Sequence, residues 1–116
     1  MQKILIIIHA PPYGSERCLS ALRLALALAG REGEKPLLDI FLMSDATVLG
    51  LPNQQDASGN TLQNMVEQLV AYGVPVRLCK TCAGNRSLLD LKLIDGLSIG
   101  TLVELAEATL QADKVI

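Results

Sequence analysis

Aromatic residues are nearly absent from this 116-residue chain, which contains two Tyr, one Phe and no Trp. Half of the residues are hydrophobic, so the core must be built from Leu, Ile, Val and Ala. No apolar run is long enough to cross a bilayer, because the most apolar predicted helix, residues 19–29, is short and contains Arg23. A basic face is missing as well. The net charge of −2 and the sequence pI of about 5.3 argue against a general nucleic-acid binder.

The common nucleotide-binding signatures are also missing. The first predicted strand is followed by HAPPYGSE instead of G-x-G-x-x-G, and no G-x-x-x-x-G-K-[ST] occurs. The opening MQKILIIIH has too short an apolar run for a secretory leader, and Pro11-Pro12 follows where a cleavage site would be needed. Three cysteines, an odd number, fit reactive thiols in a reducing compartment better than a disulfide scaffold. We therefore expect a cytoplasmic protein.

Strand-like and helix-like segments alternate along the chain. The strand segments are short runs of β-branched residues and leucine, typical of parallel strands that are covered on both faces. Strands are predicted for residues 4–8, 37–43, 74–78, 93–94 and 114–116, and helices for residues 16–29, 61–72 and 102–112. Ser15 is the expected N-cap of the first helix, Ser44 or Asp45 that of a short helix ending near Gly50, and Thr101 with Glu104 forms a capping box. This alternation predicts a single three-layer α/β domain, residues 1–116, with a mostly parallel sheet of four or five strands.

The sequence Cys79-Lys80-Thr81-Cys82 directly follows the third predicted strand. Reactive groups of open parallel sheets collect just beyond the carboxyl ends of the strands. Ala83-Gly84-Asn85 is poor helix material, so we expect the pair in a loop. A loop argues against a thioredoxin-like oxidoreductase, whose cysteines open a helix. The cations Lys80 and Arg86 favour the thiolate, which is the nucleophilic form, and this suits an attacking or sulfur-carrying cysteine.

Plainer interpretations of these residues stay open. Free cysteines are often inert and buried, so the pair can be structural. A zinc site needs four ligands, and the chain offers only Cys79, Cys82, Cys18 and His9, of which Cys18 has the spacing of a core residue. His9 ends the first strand and is either a base near the cysteines or a solvated loop residue. Tyr13 lies in a loop at the same predicted edge and is a candidate for a pocket or a subunit contact.

Eight ordered stretches resemble the DsrE/DsrF-like sulfur-relay family, and most closely its YchN-like branch. They are MQKI, APPYGSE, LRLALAL, FLMSDA, VPVRLCKTC, LIDG, IGTLVELA and ADKV, and together they span nearly the whole chain. The resemblance implies a Rossmann-like domain that forms homotrimers or homohexamers. In sulfur-relay members the cysteine after the third strand carries sulfur as a persulfide, a position that corresponds to Cys79, and Cys82 matches a second cysteine of one branch. Relay members often continue with Arg-Gly, whereas here Ser87 follows Arg86.

The thiols and the resemblance together predict a sulfur carrier. Cys79 would accept sulfur from a donor protein, and Cys82 would release it or hand it to an acceptor protein, with no metal and no organic cofactor. Two other functions remain: a non-enzymatic oligomeric binding or scaffold protein, and a redox sensor that switches between a dithiol and a disulfide of Cys79 and Cys82. The mean hydropathy of +0.36 and the apolar first helix predict self-association in each case.

Overall fold

A computed structural model describes all 116 residues as a five-stranded parallel sheet with helices on both faces. The strands are β1 (Lys3–Ile8), β2 (Leu37–Leu42), β3 (Val76–Cys79), β4 (Ser98–Gly100) and β5 (Lys114–Val115). The helices are α1 (Arg17–Ala29), α2 (Thr61–Ala71), α3 (Lys80–Asn85) and α4 (Leu102–Gln111), with a 3-10 segment over Ser44–Gly50. The strand order is β4-β3-β2-β1-β5. The predicted three-layer, Rossmann-like α/β class is confirmed.

The strands β1 and β2 form the longest pairing in the sheet. They run in register from Lys3 opposite Leu37 to Ile8 opposite Leu42. Successive side chains of β1 point to opposite faces, and both Leu5 and its neighbour Ile6 are 1% exposed. Burial on both faces explains why this strand is an unbroken apolar run instead of an alternating one.

The order of the strands decides which face each helix covers. The crossovers β1-α1-β2 and β2-α2-β3 step across the sheet in one direction, whereas β4-α4-β5 returns in the other. Right-handed crossovers therefore place α1 and α2 on one face and α4 on the opposite face.

The two faces differ greatly in the size of their cores. The main core, between the sheet and the pair α1 and α2, contains 19 buried residues, among them Ile6, Leu22 and Val66. The small core, beneath α4, contains four: Leu5, Phe41, Cys79 and Leu105. Apolar burial therefore holds α4 far more weakly than it holds α1 and α2.

The outer side of α4 is apolar and exposed. Its outer stripe consists of Leu102, Val103, Ala106 and Leu110, which lie within about 100° of each other around the helix. Leu110 is 87% exposed and Val103 is 68% exposed. None of the four helices has both the length and the apolar character that crossing a bilayer requires.

Two local predictions are wrong and one is confirmed. The predicted strand at residues 93–94 is a loop. In this loop the Ile94 side chain is buried in the main core, and the Ile94 N–H donates to the Gly50 carbonyl at 2.8 Å. Helix α1 is capped by Glu16 without a side-chain hydrogen bond, because Ser15 lies one residue too early and reaches only the Arg17 N–H at 3.4 Å. The capping box of α4 is present, with the Glu104 N–H donating to Thr101 Oγ1 at 3.2 Å.

Candidate functional site

The cysteine pair opens helix α3 and does not lie in a loop. Strand β3 ends at Cys79, which is also the N-cap of α3, with an extended backbone of φ −60° and ψ 124°. The prediction of a loop is wrong because tertiary contacts outweigh the weak helix propensity of Gly84 and Asn85. Ala83 is fully buried, and a side chain at Gly84 would crowd Leu89, since a Cβ there would lie 3.3 Å from its Cδ1.

The end of α3 is closed by a residue in the left-handed conformation. Ser87 has φ +58°, and it occupies the position where relay proteins often have Gly. Its N–H donates to the Gly84 carbonyl at 3.1 Å, and the Leu88 N–H donates to the Ala83 carbonyl at 2.9 Å. These two bonds define a Schellman motif, whose left-handed position favours glycine. The loop therefore has the conformation that a glycine would adopt, although Ser87 carries a side chain.

Cys79 and Cys82 occupy the N-cap and the third position of α3. Side chains at these two positions face each other across the first turn of a helix. The same chain shows this in α4, where Thr101 and Glu104 hold the equivalent positions and Thr101 Oγ1 donates to Glu104 Oε1 at 3.1 Å. Cys82 also packs against the small core that contains Cys79. The two cysteines are thus neighbours, and both are free thiols.

The two thiols differ in their access to solvent. Cys79 is 2% exposed and packs with Leu5, Phe41 and Leu105 beneath α4. Cys82 is partly exposed and lies at the margin of the same cluster. A large molecule approaching the folded chain therefore meets Cys82 before it meets Cys79.

Arg86 fastens α3 to the segment that follows β2. Its Nε and Nη2 donate to Asp45 Oδ1 at 3.0 and 2.8 Å, and its Nη1 donates to the Cys82 carbonyl at 3.0 Å. Ser44 or Asp45 was expected to cap the 3-10 segment, but the N-cap is Met43 and no side chain caps it; the partner of Asp45 is Arg86. The guanidinium is therefore committed to an ion pair, whereas Lys80 is exposed beside the thiols and takes part in no ion pair.

The other candidate residues lie away from the pair. Partial burial raises the pKa of the Tyr13 hydroxyl, and the charges of Asp56 and Cys18 add to the effect, so this loop lies close to Cys18 of α1. Cys18 is completely buried in the main core, and burial raises the pKa of its thiol to about 11, which makes it a poor nucleophile. His9 is exposed and borders a small cavity with Arg17.

No three His, Cys, Asp or Glu side chains come together in a group that could hold a metal ion. The zinc alternative required Cys18 to join Cys79 and Cys82. Cys18 belongs to the main core and Cys79 to the small core, so the sheet lies between them.

A cavity of about 550 Å³ lies at the opposite end of the sheet, where β1, β2 and β3 begin beside α4. Its polar centre is Arg77, which binds Asp39 at 2.7 Å and Glu104 at 3.3 Å and stacks 4.9 Å from the centre of the Phe41 ring. Burial raises the pKa of Asp39 against the opposing effect of Arg77. This network was not predicted, although a charged residue in each of two apolar strands, LLDIFL and VRLC, was a signal for it. Arg77 and Glu104 tie α4 to the sheet above the small core.

The fold and the site define a class: small, all-parallel Rossmann-like domains with a Cys-x-x-Cys pair at the carboxyl end of the third strand. Within that class the sequence model of the DsrE/DsrF-like family matches residues 2–116. The chain belongs to the DsrE/DsrF-like family.

Similar proteins agree with this assignment. The chain is 55% identical to protein YchN of Escherichia coli K12 over 117 residues, covering 100% of this chain and 98% of that protein. It is 34% identical to an uncharacterized protein of Methanopyrus kandleri, over 97% of this chain and 91% of the relative. The crystal structure of the E. coli YchN protein matches with a TM-score of 0.94 at 52% identity, covering 100% of this chain and 98% of that chain. A conserved protein of unknown function from Bacteroides thetaiotaomicron shares the fold alone, with a TM-score of 0.73 at 16% identity over 99% and 93% of the two chains.

Proposed function

We propose that this protein is a sulfur carrier, which holds sulfur as a cysteine persulfide on the pair Cys79 and Cys82 between a donor and an acceptor protein. Membership of the DsrE/DsrF-like family is compatible with such a role. The observation that carries the proposal is the arrangement of two free thiols at the N-cap and the third position of α3. One thiol is enough to carry sulfur, and a second thiol within reach allows the sulfur to be moved or released inside the protein; these positions supply both.

The chemistry is a transfer between sulfur atoms. A thiolate of the pair attacks the outer sulfur of a donor persulfide, a new S–S bond forms, and the donor leaves as a thiolate when its own S–S bond breaks. The bound sulfur then passes to an acceptor thiolate by the same step. Alternatively, the second cysteine attacks the inner sulfur, which releases hydrosulfide and leaves a disulfide that a cellular dithiol must reduce. The transfer itself requires no metal and no organic cofactor.

We further propose that the protein works in the cytoplasm as a homotrimer or homohexamer. The outer stripe of α4 supports self-association, because four neighbouring apolar side chains exposed on one helix are more than the scattered apolar residues of an ordinary surface. The subunits would meet near the element that covers Cys79, so that assembly and access to the thiols are connected.

Intact-protein mass spectrometry after incubation with glutathione persulfide tests the proposal. The wild type is expected to gain one sulfur atom, and the Cys79→Ser/Cys82→Ser double variant is expected to gain none. Cys18→Ala is the matched control, because its thiol is buried and it should leave loading unchanged. A folded wild type that gains no sulfur would favour the oligomeric scaffold, in which the thiols are incidental.

The redox sensor is the second candidate, and the same geometry favours it. A pair at the N-cap and the third position of a helix is the arrangement in which Cys-x-x-Cys disulfides form in redox proteins. This function predicts a reversible disulfide with a reduction potential near the cytosolic poise, together with no retention of donor sulfur. Titration in glutathione buffers, read by mass spectrometry, distinguishes it from the carrier.

A further inference from the structure

We infer that sulfur enters the pair at Cys82 and is stored on Cys79, so that the more exposed thiol receives it and the buried thiol keeps it. The inference rests on the proposed function and specifies the order of the two thiols. It reverses the roles that the sequence analysis assigns, in which Cys79 meets the donor and Cys82 acts afterwards.

Access to solvent determines which thiol can react first. Attack on a persulfide requires the attacking sulfur, the outer sulfur and the departing sulfur to lie nearly in line, so a donor cysteine must approach the attacking sulfur directly. Cys79 is 2% exposed, and Leu5, Phe41 and Leu105 surround it beneath α4. Cys82 is partly exposed at the margin of the same cluster, where a donor can reach it.

The positions of the two residues on α3 allow the second step. The thiolate of Cys79 attacks the outer sulfur of the Cys82 persulfide; a bond forms between that sulfur and Cys79 Sγ, and its bond to Cys82 Sγ breaks. Cys82 leaves as a thiolate and takes up a proton from water in place of the one that Cys79 lost. One S–S bond is exchanged for another, so the step involves no net oxidation.

The helix that bears both thiols is held in place for this exchange. Arg86 positions this helix and takes no part in the sulfur transfer. Its Nη1 donates to the Cys82 carbonyl at 3.0 Å, while its Nε and Nη2 bind Asp45. This contact fixes the turn of α3 that carries Cys82 above the small core. Sulfur stored on Cys79 is then shielded from soluble thiols, which would remove it from an exposed cysteine.

The sequence itself provides a direct readout. Trypsin cleaves after Arg77, Lys80 and Arg86, which places Cys79 in the peptide 78–80 and Cys82 in the peptide 81–86. Persulfides trapped with an alkylating agent at successive times after mixing with glutathione persulfide can therefore be assigned to one cysteine or the other. We expect the sulfur in wild type on Cys82 first and on Cys79 later. Sulfur that appears first on Cys79 overturns the inference.

Single variants give a second, independent test. Cys79→Ser should load at the initial rate of the wild type but lose its sulfur to added glutathione about tenfold faster, because the sulfur stays on the exposed thiol. Cys82→Ser should load about tenfold more slowly than the wild type. Circular dichroism and thermal melting check that each variant folds. Loading of Cys82→Ser at the wild-type rate, or failure of Cys79→Ser to load, contradicts the order of the thiols.

The outcomes separate this inference from the proposed function. A wild type that takes up no sulfur contradicts the carrier itself. A wild type that loads first at Cys79 is still a sulfur carrier, and this result contradicts only the proposed order of transfer.

Discussion

Arg86 and Asp45 are 41 residues apart in sequence and are joined by two hydrogen bonds to one oxygen, from Nε and Nη2 of the arginine to Oδ1 of the aspartate. The pair links the end of the thiol-bearing helix α3 to the 3-10 segment after β2. Because Arg86 also binds the Cys82 carbonyl, the contact connects the position of this partly exposed thiol to the 3-10 segment.

Asp45→Asn should loosen α3 with little loss of global stability. The Asp45 side chain is 60% exposed, so the ion pair contributes about 1 kcal/mol or less to the free energy of unfolding. We expect a small decrease in melting temperature together with a clear change in the alkylation rate of Cys82. Asp90→Asn is the matched control, since Asp90 is exposed and forms no ion pair. An unchanged alkylation rate would show that the pair does not position Cys82.

Ser87→Gly should stabilise the protein. Ser87 has φ +58°, and a left-handed conformation costs a residue with a side chain about 1 kcal/mol relative to glycine. Denaturant unfolding should therefore show an increase in the free energy of unfolding. The increase should be somewhat less than that value, because glycine makes the unfolded chain more flexible. Ser20→Gly, on the exposed side of α1, should instead destabilise by about 0.5 kcal/mol, as expected for glycine in place of serine within a helix. A loss of stability in Ser87→Gly would contradict the strain assigned to the end of α3.

Glu104 should contribute stability that depends on pH. Its pKa is held below the usual value by the hydrogen bond from the Thr101 backbone N–H, then by the Thr101 hydroxyl and Arg77. A lowered pKa means that the carboxylate favours the folded state. The contribution is therefore complete above the ordinary glutamate pKa and is lost as the pH falls through the lowered value.

Thermal melting of Glu104→Gln against wild type measures this contribution. The variant should melt at a lower temperature at pH 7, and the difference should shrink as the pH falls below about 4. Glu107→Gln, on the same helix but without an ion pair or side-chain hydrogen bond, is the control and should show no such trend. A difference between Glu104→Gln and wild type that stays constant with pH would contradict the prediction.

Leu110→Glu should weaken self-association without unfolding the subunit. Leu110 is 87% exposed in the isolated chain, so a carboxylate there is solvated in the monomer and becomes buried only in an assembly through α4. Light scattering coupled to size exclusion should show a smaller species than the wild type at micromolar concentration. Gln68→Glu, which adds the same charge on the exposed side of α2, should leave the size unchanged. A wild type that is already monomeric would contradict the predicted oligomer.

The parts of the fold that local sequence determines were predictable. The β1 run KILIII and the Thr101–Glu104 capping box depend on neighbouring residues alone, and both are present. The position of β4 was not predictable, because a three-residue edge strand with two exposed residues has no recognisable hydrophobic pattern. Likewise α3 depends on the burial of Ala83 and on the distant Asp45, neither of which the segment 80–85 reveals by itself.

For Cys79, too, the features set by local sequence were predictable and those set by tertiary contacts were not. Its place after the third strand was predictable from the order of the elements, and its neighbour Cys82 from the spacing. Its burial was not, because the residues that cover it come from β1, β2 and α4, which only the tertiary fold brings together.

The unequal cores on the two faces of the sheet have a consequence for local opening. The small core holds α4 through a single buried residue of that helix, Leu105, together with the polar contact between Glu104 and Arg77. The backbone amides of α4 should therefore exchange hydrogen through a sub-global opening, whereas those of β1 and β2 exchange only when the whole domain unfolds. Because Cys79 lies directly beneath α4, the free energy of that opening sets how long a group on this sulfur stays hidden, independently of the stability of the rest of the molecule.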